Sequence, residues 1–211
     1  MMTNKKKELL KKILFKAFKN SFESGGGKEY RYYHGLHVAN LSWQIIKNER
    51  LNADRDLVYV AALFHDIGKV EAIDKNGKID YASKANLHHD RIEAKYLSKY
   101  IGHIIAPEDV DKIIKIIRES HSSSASTECK ILRDADELSN TGYMQIWRTA
   151  NDAAFTGKNI EQAIKYWENV GLKNLEKAVN NMFYGYSKSL AKEKLIIFKK
   201  FINSLKKELS L

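Results

Sequence analysis

From Leu57 to Phe64 the chain is almost wholly apolar: Leu57, Val58, Val60, Ala61, Ala62, Leu63 and Phe64. A helix that is apolar nearly all round is buried on most sides, so other helices must pack around this one. The run closes on His65-Asp66-Ile67-Gly68-Lys69, which delivers an imidazole, a carboxylate and an ammonium to one small volume. Neighbours on a helix point about 100° apart, so His65 and Asp66 can share one ion only near a helix end or around a common cavity. Gly68 is expected to provide that end. A ligand pair at the end of the most buried helix is held rigidly, and its composition is that of a metal site that handles phosphate.

The rest of the chain predicts helices and further ligands. One proline and eleven glycines in 211 residues favour long helices. Leu9, Leu10, Ile13, Leu14, Ala17 and Phe18 form one apolar stripe, so Lys5 to Phe22 is read as an amphipathic helix packed on the core. Gly25-Gly26-Gly27 breaks the chain, and the next helix is expected from about Tyr32. His34 and His37 lie three residues apart on it, and by spacing either is a candidate ligand. Asp54 reads as a helix cap, and Ile73 to Ala82 as a polar loop with a hairpin turn at Asn76-Gly77. His88-His89-Asp90 opens another helix, and Pro107 starts one that ends at His121. Asp134-Ala135-Asp136 follows, and Asn159 to Leu209 is helical again with no further histidine.

Composition narrows the partners. A single cysteine, Cys129, excludes an internal disulfide framework and fits a reducing compartment. No apolar run approaches the roughly 20 residues that span a bilayer, and the lysine-flanked first helix has no signal-peptide core, so a cytoplasmic protein without a membrane partner is expected. The formal charge of +10 is spread over lysines, with no Arg-rich or Arg-aromatic stretch of the kind that reads nucleic acid. Its expected partner is a small anionic molecule. Trp167, Phe183, Tyr184 and Tyr186 leave the C-terminal helices two assignments, a cap on the pocket or a homodimer surface.

His34 with Val38, the run Ala61 to Lys69, and Ala135-Asp136-Glu137-Leu138 occur in that order on successive expected helices. In this the chain resembles the HD superfamily of metal-dependent phosphohydrolases. The resemblance implies an all-α HD helical bundle over residues 29–150, with residues 1–28 packed on it as an amphipathic helix and linker, and residues 151–211 as a C-terminal helical extension of the same domain. It selects His34, His65, Asp66 and Asp136 as metal ligands, over His37 and over Asp134, which becomes a helix-start or supporting carboxylate. His89 and His121 resemble the two extra ligands of binuclear members, in which Asp66 bridges two ions. The donors suit Fe, Mn, Zn, Ni or Co, with Mg as a further candidate. The Gly-Tyr-Pro signature of the cyclic di-GMP phosphodiesterases does not follow His65-Asp66.

The implied activity is hydrolysis of a small phosphorylated metabolite, a nucleotide first, with Asp66 and Lys69 as catalytic residues. Lys69 leads the candidates for stabilising phosphoryl charge, Arg118 and Arg133 stand behind it, and Arg31 is expected to close over the substrate. The rival reading is a non-catalytic metal-containing sensor of nucleotides or nucleic acid.

Overall fold

Thr3 accepts the backbone N–H of Lys6 and starts the first helix of the computed structural model, α1 (Asn4–Phe18). The structure describes residues 2–79, 89–120, 122 and 125–210, with the backbone alone for 89–91. Leu10, Leu14 and Phe18 are buried along one face of α1, as the apolar stripe requires. The helix stops short of Phe22 because Asn20 takes a left-handed φ of 63° and turns the chain into a small antiparallel hairpin. Its strands are β1 (Phe22–Glu23) and β2 (Gly27–Lys28), paired Phe22 to Lys28 and Glu23 to Gly27. The glycine run is therefore the turn of a hairpin.

Helix α2 (Tyr30–Asn48) starts two residues earlier than the apolar pattern indicates. Asp54 caps α3 (Arg55–Phe64) by accepting the N–H groups of Asp56 and Leu57. The helix ends at Phe64, and a 3-10 segment (Ile67–Ala72) follows directly. Gly68 lies inside that segment and does not act as a left-handed cap, a departure from the sequence expectation. Asp74 then accepts the N–H groups of Asn76 and Lys78, and Gly77 takes a φ of +80° in the expected turn. Phe22 bonds across to Gly77 and Ile79, which ties the hairpin to this loop.

The remaining helices are α4 (His89–Ile101), α5 (Pro107–Glu119), α6 (Thr127–Ser139), α7 (Tyr143–Thr156), α8 (Ile160–Tyr166), α9 (Leu172–Asn180) and α10 (Gly185–Glu208). A π-helical segment, Trp167–Gly171, joins α8 to α9. Helix α3 is the hub: it packs on α2, α5 and α6, and Val60, Ala61, Ala62, Leu63 and Phe64 are all buried. Full burial of a side chain such as Phe64 contributes about 1.5–3 kcal/mol. One apolar cluster runs from Leu10 to Leu195, and a smaller one joins Ile164, Phe198 and Ile202 among the C-terminal helices. Among the described residues no helix is long and apolar enough to cross a membrane.

Candidate metal centre

Helix α2 approaches α3 closely because Gly35 has no side chain: a Cβ there would meet the Leu63 carbonyl oxygen at 2.5 Å. The approach brings His34, at the start of the second turn of α2, against His65 at the end of α3, with their Nε2 atoms 3.1 Å apart. Asp66 Oδ2 lies 3.5 Å from His34 Nε2 and 3.6 Å from His65 Nε2. From α6, Asp136 Oδ1 lies 3.2 and 3.6 Å from the same two nitrogens. His34, His65 and Asp66 are buried, whereas the Asp136 side chain keeps 33% of its surface exposed, so the site opens on that side.

The hydrogen bonds behind the imidazoles fix what their front atoms offer. His65 Nδ1 lies 2.8 Å from the Ala62 carbonyl oxygen, which only accepts, so Nδ1 carries the proton and Nε2 a lone pair. Ser139 gives its hydroxyl proton to the Asp136 carbonyl at 2.7 Å, so its oxygen accepts from His34 Nδ1 at 3.3 Å. His34 Nε2 is then a lone-pair atom as well. Two lone pairs 3.1 Å apart, beside two carboxylate oxygens, repel each other unless a cation lies between them. Donors that bind one ion at about 2.0–2.2 Å stand about 3–3.5 Å from one another, close to the separations among His34, His65 and Asp66. His34, His65 and Asp66 fit a divalent metal, and Asp136 stands against both imidazoles.

The titratable groups respond to the same crowding. Burial lowers the pKa of His34. Burial also opposes charge on His65, but Asp66 and Asp136 outweigh it and raise that pKa. The Lys69 ammonium and Arg31 guanidinium hold Asp66 well below the usual carboxylate range against the opposing effect of burial. Asp136 is held low by His34 and His65 in the same way. Without a metal, His65 is the imidazole that favours a proton, and metal binding would displace it.

Two cations grip Asp66. Lys69, on the 3-10 segment, places Nζ 2.9 Å from Oδ1. Arg31 donates from Nη1 to Oδ2 and from Nε and Nη2 to both oxygens of Glu23. The guanidinium, expected to close over a substrate, is thus buried in ion pairs with Asp66 and Glu23. Arg118 is exposed on the last turn of α5, and Arg133 lies over the Phe183 ring at 5.4 Å, so neither is brought into the cluster. His37 stands apart too, pushed down to about 4 by burial first, then by Lys194 and His34.

Asp134 sits in the middle of α6 and accepts the N–H groups of Phe183 and Tyr184 at 2.9 and 3.0 Å, at the start of α10. It starts a helix, but a different one from its own. The side chain of His89 and the whole of His121 lie outside the described residues.

Sequence reasoning missed Glu23, Ser139, Tyr30 and Arg148. Tyr30 stacks on His34, and its hydroxyl accepts from Arg148 Nη1 at 2.8 Å. Arg148 also donates to Asn140, which donates to the Asp136 carbonyl. These partners are separated by up to 118 positions, and no local pattern joins them.

The family model described as the HD domain matches residues 31–141, just over half of the chain. YpgQ from Bacillus subtilis, solved in complex with ADP, is 23% identical with a TM-score of 0.65, covering 96% of each chain. The Lin1889 protein from Listeria innocua is 25% identical with a TM-score of 0.64, covering 100% of this chain and 99% of its own. An HD-superfamily hydrolase from Bacillus thuringiensis is 19% identical with a TM-score of 0.64, covering 97% and 98%. Among proteins of curated function, none matches this sequence. The matched span contains His34, His65 and Asp66, which could hold a metal ion, and Asp136 beside them, and the chain belongs to the HD domain family of metal-dependent hydrolases.

Proposed function

We propose that the chain hydrolyses phosphate bonds of a nucleotide, using a divalent metal held by His34, His65, Asp66 and Asp136. The observation that carries this reading is a pair of imidazole nitrogens 3.1 Å apart, with one oxygen of Asp66 and one of Asp136 each 3.2–3.6 Å from both. A bound divalent ion supplies Lewis acidity, both to activate a water and to draw charge from phosphoryl oxygens. Asp66 keeps its charge because Lys69 and Arg31 face it. Lys69 adds positive potential beside the site, where nonbridging oxygens gain charge during displacement. The exposed edge at Asp136 gives the substrate its entry.

Two observations support a nucleotide. The structurally similar YpgQ carries ADP in its own crystal structure. A cleft of about 550 Å³, within the usual range for small-molecule pockets, is lined by Arg148, Gln145, Lys158, Tyr166 and Trp167. It does not contain the metal donors, but Arg148 joins it to them through Tyr30 and Asn140. That arrangement suits a molecule with phosphate at the metal and a flat, hydrogen-bonding base beyond it. His89 and His121 remain our candidates for a second ion, and the cysteine-poor composition supports a cytoplasmic setting.

The test is product release from mononucleotides, dinucleoside polyphosphates, cyclic dinucleotides and sugar phosphates, with Mn, Fe(II), Co, Ni or Mg supplied anaerobically. Turnover of a nucleotide class that disappears in Asp66→Ala is the expected result. Tight metal and nucleotide binding without any turnover would overturn it in favour of a sensor.

A further inference from the structure

We propose that Glu23 is a positioning residue of the metal centre, the countercharge that lets Arg31 stay bound to the metal-facing oxygen of Asp66 while a divalent cation occupies the site. The proposal rests on the metal reading given above.

Arg31 Nη1 contacts Asp66 Oδ2, the same oxygen that faces both imidazoles. A guanidinium there orients the carboxylate, but it also sets a positive charge one atom away from where the metal binds. Its repulsion of a dication is strong in a buried setting, where water does little to screen it. Glu23 meets the guanidinium from behind with both carboxylate oxygens, in the fork geometry that suits arginine. Glu23 is 1% exposed and Arg31 6% exposed, so neither charge has solvent as a substitute partner.

The hairpin explains why Glu23 is there. A carboxylate on a two-residue strand is normally solvated, since burying it is costly unless it is paired. Here the β1–β2 pairing and the Phe22 bonds to Gly77 and Ile79 pin the strand against the loop that follows the 3-10 segment. Two parts of the chain on either side of the ligands thus converge on one charge array.

The set of groups named above holds three carboxylates, Glu23, Asp66 and Asp136, and two cations, Arg31 and Lys69. With neutral imidazoles it nets to one negative charge. Neutralising Glu23 alone removes that charge and leaves Arg31 opposing the metal. Neutralising Glu23 and Arg31 together restores one negative charge, and Lys69 still holds Asp66 by Oδ1. A hairpin that merely braces the fold gives the opposite pattern, with the two losses adding.

The experiment is Mn2+ titration of the full chain by calorimetry, for wild type, Glu23→Gln and Glu23→Gln/Arg31→Gln, with thermal unfolding followed on the same samples. Glu23→Gln is expected to bind Mn2+ at least about tenfold more weakly, and the double variant to return to within about threefold of wild type. Glu23→Gln binding like wild type, or a double variant as weak as the single one, overturns the proposal. Where Glu23→Gln is too unstable to titrate, the double variant decides alone by the same threefold criterion. A wild type that binds no divalent ion overturns the metal reading itself, and this proposal with it.

Discussion

Asp134 and Asp136 lie two residues apart on α6 and hold different things together: Asp134 accepts the N–H groups of Phe183 and Tyr184, and Asp136 faces His34 and His65. Their removal should therefore separate stability from metal binding. Asp134→Ala leaves two backbone donors at the start of α10 without their acceptor, at a cost of about 1–3 kcal/mol, while metal stoichiometry is retained. Asp136→Ala should unfold near the wild-type temperature without metal and lose the stabilisation that added metal provides. Thermal melts with and without Mn2+ check both.

Ser139 is fully buried and donates to a carbonyl of its own helix, while its oxygen receives the proton of His34 Nδ1. Replacing it with alanine costs the fold little but frees the His34 ring to rotate and change tautomer. Groups behind a ligating histidine typically account for about 10–100-fold in affinity. Ser139→Ala should weaken Mn2+ binding in that range, and a calorimetric titration that matches wild type would remove this assignment.

Gly35 sets the distance between the two histidines. An alanine there collides with the Leu63 carbonyl, a backbone atom, and with Leu14 at 2.9 Å, so α2 and α3 must part. Overpacking of this kind costs about 1–3 kcal/mol, which lowers Tm by roughly 2–12 °C for a chain of this size. Because the separation moves His34 from His65, metal binding should fall along with stability. Paired melting and metal titration of Gly35→Ala detect the two losses.

His37 predicts an acid limb of stability. Its pKa falls from 6.5 to about 4 in the fold, chiefly through burial, with Lys194 and His34 adding to the effect. The unfolded chain thus takes up a proton that the folded chain refuses. The stability contributed is complete above pH 6.5, declines as pH falls toward 4, and changes no further below that. Denaturant unfolding across this window should show a shallower slope in His37→Gln than in wild type; equal slopes would exclude His37 as the source.

The helical architecture was legible because its signals are local. Apolar spacing marked α1 and α2, Asp54 marked the start of α3, and Pro107 marked α5. The hub position of α3 followed from its nearly continuous apolar surface. The hairpin escaped notice, because three glycines in succession signal a break without specifying which strands flank it. Spacing alone left His34 and His37 equal, and the family resemblance singled out His34, which the fold places in the cluster. Glu23 and Ser139 were not legible: an isolated glutamate and an isolated serine have no pattern, and their partners lie 8 and 105 positions away. Arg31 was found, but its burial against Glu23 was not legible, because that burial comes from the hairpin.

The measurement that tests the central claim most directly is the metal content of the anaerobically purified chain and of Asp66→Ala, each loaded with Mn2+, desalted and analysed by mass spectrometry, with nucleotide hydrolysis assayed on the same samples. At least one ion per wild-type chain is expected, with loss of both the ion and the turnover in Asp66→Ala. A variant that keeps the wild-type ion content and the wild-type rate would contradict it.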